Sequence, residues 1–135
     1  MSTRILALAG GVGGAKLALG LSRLLQPEQL AVVVNTGDDE EFYGLHVSPD
    51  LDTVMYTLAE VANTDTGWGI RGETFAVLEA LGDYGEDTWF KLGDRDLATH
   101  IRRTALLREG MPLSEVTRVL CNALGVAHAV VPMTD

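Results

Sequence analysis

Near its N-terminus the chain runs from Arg4-Ile5-Leu6-Ala7-Leu8-Ala9 into Gly10-Gly11-Val12-Gly13-Gly14, and then straight into Ala15-Lys16-Leu17. An apolar run that breaks on glycines and resumes with helical periodicity reads as a strand, a tight turn and a helix N-terminus. No other stretch constrains the fold as much, because such a turn opens an α/β unit. It also carries chemistry. Glycines let backbone N–H groups approach an anion, and the helix dipole favours negative charge at that end. Gly11, Val12, Gly13 and Gly14 are therefore candidates for holding a phosphate-bearing ligand, with Lys16 as a nearby cation. The competing reading is a tight βα turn with no ligand, since one glycine normally suffices for a turn.

The spacing fits neither common nucleotide motif. In a dinucleotide fingerprint counted from Gly11, the third glycine falls on Lys16. A P-loop needs Ser or Thr after Gly-Lys, and this chain has Ala15-Lys16-Leu17.

At 135 residues the chain is read as one domain, 1–135, with one core. Hydrophobic content of 47% and charged content of 21% describe an ordinary globular composition. A net charge of −9 argues against a nucleic-acid binder, which needs a basic face. An acidic chain that binds phosphates needs a metal ion or a few well-placed cations, and Lys16 and Lys91 are its two lysines. The single cysteine, Cys121, excludes an internal disulfide and lies in an apolar helical pattern, as a buried structural thiol would. No apolar run is long enough to span a bilayer and the start lacks a signal-peptide pattern, so the expected compartment is the cytoplasm, with no membrane partner. A homo-oligomer is the expected assembly.

Residues 4–9 read as the first strand and 14–25 as a helix ended by Pro27; Leu30 to Val34 is a buried parallel strand. Asn35 to Val47 reads as a long acidic connection. Ser48-Pro49-Asp50-Leu51-Asp52 opens a second helix, with Ser48 as N-cap and Pro49 at N1. Asn63 to Gly72 reads as a loop, and Thr74 to Leu81 as a helix. Asp94 is expected to cap a helix running to Glu109, followed by a helix over 114–124 and a third strand over 127–131. The fold class is thus α/β: a Rossmann-like parallel sheet with a β-α-β start and a helical block before the third strand. Three strands make a thin sheet, and Pro132-Met133-Thr134-Asp135 follows a strand that would normally feed another element. The expectation is an incomplete domain, the N-terminal portion of a longer fold.

Ligands of open α/β sheets sit beyond the carboxyl ends of the strands. The glycine turn, Asn35-Thr36-Gly37-Asp38-Asp39 and Met133-Thr134-Asp135 should converge there. Asp38 and Asp39 are hard oxygen ligands suited to magnesium beside a diphosphate, and equally a solvated acidic turn. Asp50 and Asp52, two apart in a first turn, should point in different directions. One of them can face a site while the other caps, and equally both can serve only the dipole of the turn. Lys91 and Arg95 flank a helix start that suits an anion or a surface capping network. Trp68 and Arg71 suit a flat heterocycle, or the edge of a core. His100, beside Arg102 and Arg103, reads as a surface residue.

Several separate blocks together resemble one family. They are Ala9-Gly10-Gly11-Val12-Gly13-Gly14-Ala15-Lys16, Val34-Asn35-Thr36-Gly37-Asp38-Asp39, Tyr43-Gly44-Leu45, and Ser48-Pro49-Asp50-Leu51-Asp52-Thr53-Val54-Met55-Tyr56. Gly67-Trp68-Gly69, Leu92-Gly93-Asp94-Arg95-Asp96-Leu97-Ala98-Thr99-His100 and the stretch from Pro112-Leu113-Ser114 to the end follow. Together they look like the N-terminal part of the 2-phospho-L-lactate transferase family of coenzyme F-420 biosynthesis, over essentially the whole chain.

The resemblance implies a transferase. It would move a phospho-acid group (phospholactyl, phosphoenolpyruvyl or phosphoglyceryl) from a guanosine diphosphate-linked donor to a hydroxyl of the deazaflavin Fo, releasing GMP with magnesium as cofactor. It also implies that Asp50 and Lys91 meet the deazaflavin, with Asp50 as general base, and that Asp38 binds the metal. The family's chain is considerably longer, so the missing part would hold much of the guanine pocket. Two alternatives stand beside this one: a related regulatory family that binds sugar nucleotides, and a non-catalytic fragment that needs a partner.

Overall fold

A computed structural model describes residues 3–135. Strand β1 (Ile5–Ala9) leads through the glycine turn into helix α1 (Val12–Leu24), and a 3-10 turn at Pro27–Gln29 delivers the chain to β2 (Leu30–Val34). β1 and β2 pair in parallel, Ile5 opposite Leu30 and Ala9 opposite Val34. On its other edge β2 pairs in parallel with β5 (Ala129–Pro132), Ala31 opposite Ala129. The expected α/β sheet is therefore present, in the order β1-β2-β5.

Period-two alternation sorts its residues. Ala7, Ala9, Val32, Val34 and Val130 are buried in the main core with Ala15 and Ala18 of α1 and Val116 and Leu120 of the last helix. The opposite face is open, with Leu6 64% and Leu8 75% exposed. Parallel sheets are normally covered on both faces.

Helix α1 starts two residues earlier than the periodicity predicts. Gly11, at φ 91°, is its N-cap, so Gly13 and Gly14 lie within its first turn. Gly14 is required by packing: a Cβ there would stand 2.7 Å from Ala9 Cβ and 2.8 Å from Ala9 Cα.

The predicted loop over 35–47 holds a hairpin, β3 (Glu40–Phe42) and β4 (Leu45–Val47). Its turn residues, Tyr43 and Gly44, both have positive φ, as tight two-residue hairpin turns demand. The hairpin was hidden because its strands are only three residues each and half polar. Only its apolar positions, such as Phe42 and Val47, pack, in a small cluster with Leu92 and Leu97.

Four helices complete the chain: α2 (Pro49–Leu58), α3 (Ala76–Asp83), α4 (Asp94–Arg108) and α5 (Leu113–Ala123). Asp94 does not cap its own helix. Its carboxylate accepts from Thr74 Oγ1 at 2.7 Å and from the Ala76 and Val77 amides at 3.0 Å, which caps α3. Glu73 in turn accepts from the Arg95 and Asp96 amides and caps α4. Gly93 makes this exchange possible, since a Cβ there would fall 2.0 Å from the Glu73 side chain. Cys121 is buried as expected, and burial pushes its thiol up to about 12.

Two outcomes follow for stability. Gly14→Ala should cost about 1–3 kcal/mol in denaturant unfolding, because the clash is with backbone as well as side chain. The Thr74 hydroxyl and the Val77 and Ala76 amides hold the Asp94 carboxyl below the usual carboxylate range. Its cap is therefore complete above the unfolded-state value of about 4 and is lost as pH falls through the lower folded value. Hydrogen exchange should show α3 amides losing protection in that acid window before those of α5.

Candidate functional site

The carboxyl ends of the three parallel strands are tied together. The Asn35 amide donates to Ala9 O at 3.0 Å and the Met133 amide to Val34 O at 2.9 Å. The Thr36 and Thr134 hydroxyls are in contact, joining the loops after β2 and β5. Beside this edge α1 begins. Its first backbone bond runs from Ala15 N to Gly11 O at 2.9 Å, so the Val12, Gly13 and Gly14 amides precede the helical ladder.

A cleft of 390 Å³ opens from Gly11 and Val12. Asp50, in the first turn of α2, stands at the same end, with Oδ1 3.4 Å from where a Cβ on Gly11 would lie. Asn35 Nδ2 donates to Asp50 Oδ2 at 2.9 Å and to Asp38 Oδ2 at 3.3 Å. One amide thus brings together the two acids that the sequence singles out.

The cleft walls are aromatic. Trp68, Trp89 and Phe90 line it, with Lys91 next to them. Phe42 of the hairpin stacks on Phe90 at 4.7 Å and meets the Trp89 edge at 5.9 Å, so the far wall is buttressed from behind. Trp68 is held by its loop: Gly67, at φ 81°, passes so close to Val12 that a Cβ would be 2.7 Å from Val12 Cγ1. Arg71 does not line this cleft; it reaches Glu60 O instead. Gly13 is exposed with open space at its Cβ position, and Lys16 is exposed one turn into α1, outside the cleft lining.

The cleft floor overturns two expectations. Asp52 is not a solvated first-turn acid, and His100 is not on the surface; they are 4% and 1% exposed. Asp52 accepts from both terminal nitrogens of the buried Arg103, from Nη2 at Oδ1 and from Nη1 at Oδ2 at 3.2 Å. The same Nη1 faces His100 Nδ1 at 3.2 Å, and His100 Nε2 lies 3.1 Å from Asp96 Oδ2. Asp96 Oδ1 accepts from Tyr56 Oη at 2.6 Å.

Burial alone would lower the Arg103 pKa, and the Asp52 carboxylate together with Tyr56 and Asp39 outweighs it, so the guanidinium stays charged. Burial, and then the charges of Asp52 and Asp96, push the Tyr56 hydroxyl upward, which keeps it a neutral donor. Residues Asp96, His100 and Arg103 fall on one helix face by their spacing of four and three. That spacing was readable, but a charged helix gives no sign that this face is buried.

Asp52, Asp96 and His100 place one ligand atom each within 4.8 Å of one another and could hold an ion. Magnesium prefers oxygen and water ligands in an octahedron. Here a nitrogen ligand and the Arg103 guanidinium already occupy the space between the carboxylates, so the trio fits a compensated ion pair better than magnesium. Asp38, exposed at the mouth, offers oxygen ligands alone.

The chain matches the family described as 2-phospho-L-lactate transferase CofD over residues 5–135. It belongs to that family. It is 50% identical over 133 residues to a protein of Streptomyces avermitilis named phosphoenolpyruvate transferase. Proteins of the same name from Thermobifida fusca and Mycobacterium tuberculosis are 48% and 44% identical. In each case 98% of this chain is matched, but it spans only 42–44% of the relative. Among the described residues no helix is long and apolar enough to cross a membrane.

Breaking the buried pair on one side should be severe. Arg103→Met leaves Asp52 uncompensated and should cost about 3–5 kcal/mol. Adding Asp52→Leu should recover most of that loss in thermal melts, because an apolar pair replaces a buried ionic one.

Proposed function

We propose that this chain forms the acceptor side and the phosphate-binding edge of a transferase that moves a phosphoenolpyruvyl group from a guanosine diphosphate-linked donor to the deazaflavin Fo. One observation carries the reading. A single cleft joins an aromatic chamber, a carboxylate and a helix start with free amides. The relatives' shared name favours enolpyruvate over lactate or glycerate as the acid.

The flat deazaflavin fits between Trp68 on one side and Trp89 and Phe90 on the other, with Lys91 at its polar edge. Its side-chain hydroxyl then reaches Asp50. The donor phosphates lie against the Val12, Gly13 and Gly14 amides, where helix dipole and N–H groups favour an anion. The hydroxyl oxygen attacks the phosphorus that bears the acid. A new O–P bond forms, the bond from that phosphorus to the GMP phosphate oxygen breaks, and the hydroxyl proton passes to Asp50. Asp38 would hold magnesium, which when bound supplies charge neutralisation for the diphosphate.

Titration with Fo and with GDP tests the reading. A transferase binds both, a sugar-nucleotide regulator binds neither Fo nor its analogues, and an inert fragment binds nothing. Two substitutions sharpen the test. Gly13→Val adds a side chain to open space in the protein, so the fold should survive while GDP binding weakens about tenfold or more, equivalent to about 1.4 kcal/mol. Asp50→Asn should slow GMP release about 10²-fold or more, the scale of a lost acid–base group, with an unchanged melting temperature. Wild-type turnover in Asp50→Asn would remove this residue from the reaction.

A further inference from the structure

We infer that Asn35 is a positioning residue for the Asp50 carboxylate, an inference that rests on the transferase reading above. Asn35 is held at three points. Its backbone amide continues the sheet ladder to Ala9 O at 3.0 Å, its Oδ1 accepts from the Gly37 amide at 3.0 Å, and its Nδ2 donates to Asp50 Oδ2 at 2.9 Å. The second hydrogen of Nδ2 serves Asp38 Oδ2 at 3.3 Å.

These partners fix the orientation of the amide. An N–H of Gly37 needs an acceptor and two carboxylates need donors, so a flipped amide would be mismatched at all three places. The neighbouring glycines are part of the same fit. A Cβ on Gly37 would press on Asn35 Oδ1 at 3.1 Å, and one on Gly10 would touch Asn35 Cβ at 3.8 Å.

The consequence lies in which oxygen remains free. Asn35 occupies Asp50 Oδ2, and this leaves Oδ1, the oxygen that stands over Gly11 beside the start of α1. A hydroxyl arriving from the aromatic chamber meets Oδ1 next to the amides that hold the donor phosphates. Asn35 touches neither substrate. It sets the face of the base, and its two hydrogens keep two like charges apart at the mouth of the cleft.

Asn35→Asp isolates this role. It keeps the shape and the acceptor for Gly37 N–H, and it removes both donors. With Fo and donor supplied, kcat should fall about tenfold or more, the scale of a lost hydrogen bond to a charged group. KM for Fo should stay within about twofold, and the acid limb of the kcat profile should move to higher pH, because added negative charge favours the protonated base.

A residue that only maintains the turn predicts normal kcat and an unmoved profile, and that result overturns the role. Asn35→Ser, which retains a short acceptor for the turn but cannot reach Asp50, gives the same reading if Asn35→Asp fails to fold. Asp50→Asn is run alongside. If it is active, Asp50 is not the base and the positioning role falls with it; if it is inactive while Asn35→Asp is normal, only the positioning role fails; if the wild-type protein binds neither Fo nor GDP, the transferase reading itself fails.

A second readout needs no turnover. In NMR spectra of the 135-residue protein, the Asn35 side-chain amide signals should shift in Asp50→Asn. Amide signals unaffected by Asp50→Asn overturn the contact on which the role depends.

Discussion

Arg103 cannot lose its proton, and its side chain is buried, so the surrounding structure must supply a carboxylate. Asp52 supplies it, and the pair sets how α4 lies against α2. A second attachment along the same two helices, Tyr56 of α2 to Asp96 of α4, prevents rotation about the first. The hairpin is drawn into the same seam: the His46 carbonyl faces Arg103 Nη1, and the His46 amide donates to Thr104 of α4 at 2.8 Å. Phe42 of that hairpin braces the aromatic wall, and the first turn of α2 presents Asp50. Both ends of the cleft therefore inherit their position from one ion pair beneath its floor.

The glycines of the first turn divide their duties. Gly11 takes a left-handed φ that side chains resist and leaves room for Asp50 Oδ1 above it. Gly14 lets α1 descend onto β1. Gly13 has no neighbour that would meet a Cβ, so nothing within the fold requires it. A glycine that packing does not need, at the exposed start of a helix, is consistent with an approach from outside. The density of glycine that first suggested a ligand thus has structural causes at two positions and an open one at the third.

Much of the fold was legible because its signals are local. The two parallel strands, the first helix and the start of α2 at Pro49 follow from periodicity and breakers, although the Ser48 hydroxyl turns to Asp39 instead of capping α2. The parallel pairing of β1 with β2 follows from the β-α-β rule, and the convergence of three loops follows from parallel strands. What escaped was decided by tertiary contact. Asp94 looks like the cap of the helix it begins, yet it serves α3, because Glu73 takes its place through a contact 22 residues away from Arg95. Residues two apart in a helix point roughly 200° apart, so Asp50 and Asp52 were expected to face different ways. Which of them faces the core depends on where Arg103 sits, and no local pattern reveals that.

A chain with a net charge of −9 is an unpromising host for an anionic donor until its acids are followed to their partners. Asp52 is matched by Arg103. Asp94 and Glu73 are satisfied by the N-termini of α3 and α4. Asp39 accepts from Ser48 and meets His46. These charges are committed to the fold. At the mouth, only a neutral amide separates Asp38 from Asp50, and the free N–H groups of α1 stand beside them. Two carboxylates and a diphosphate would repel one another across that short gap in the absence of a divalent cation. The local arrangement, rather than the overall charge, thus governs the mouth of the cleft, where an anion and a divalent cation would each find partners.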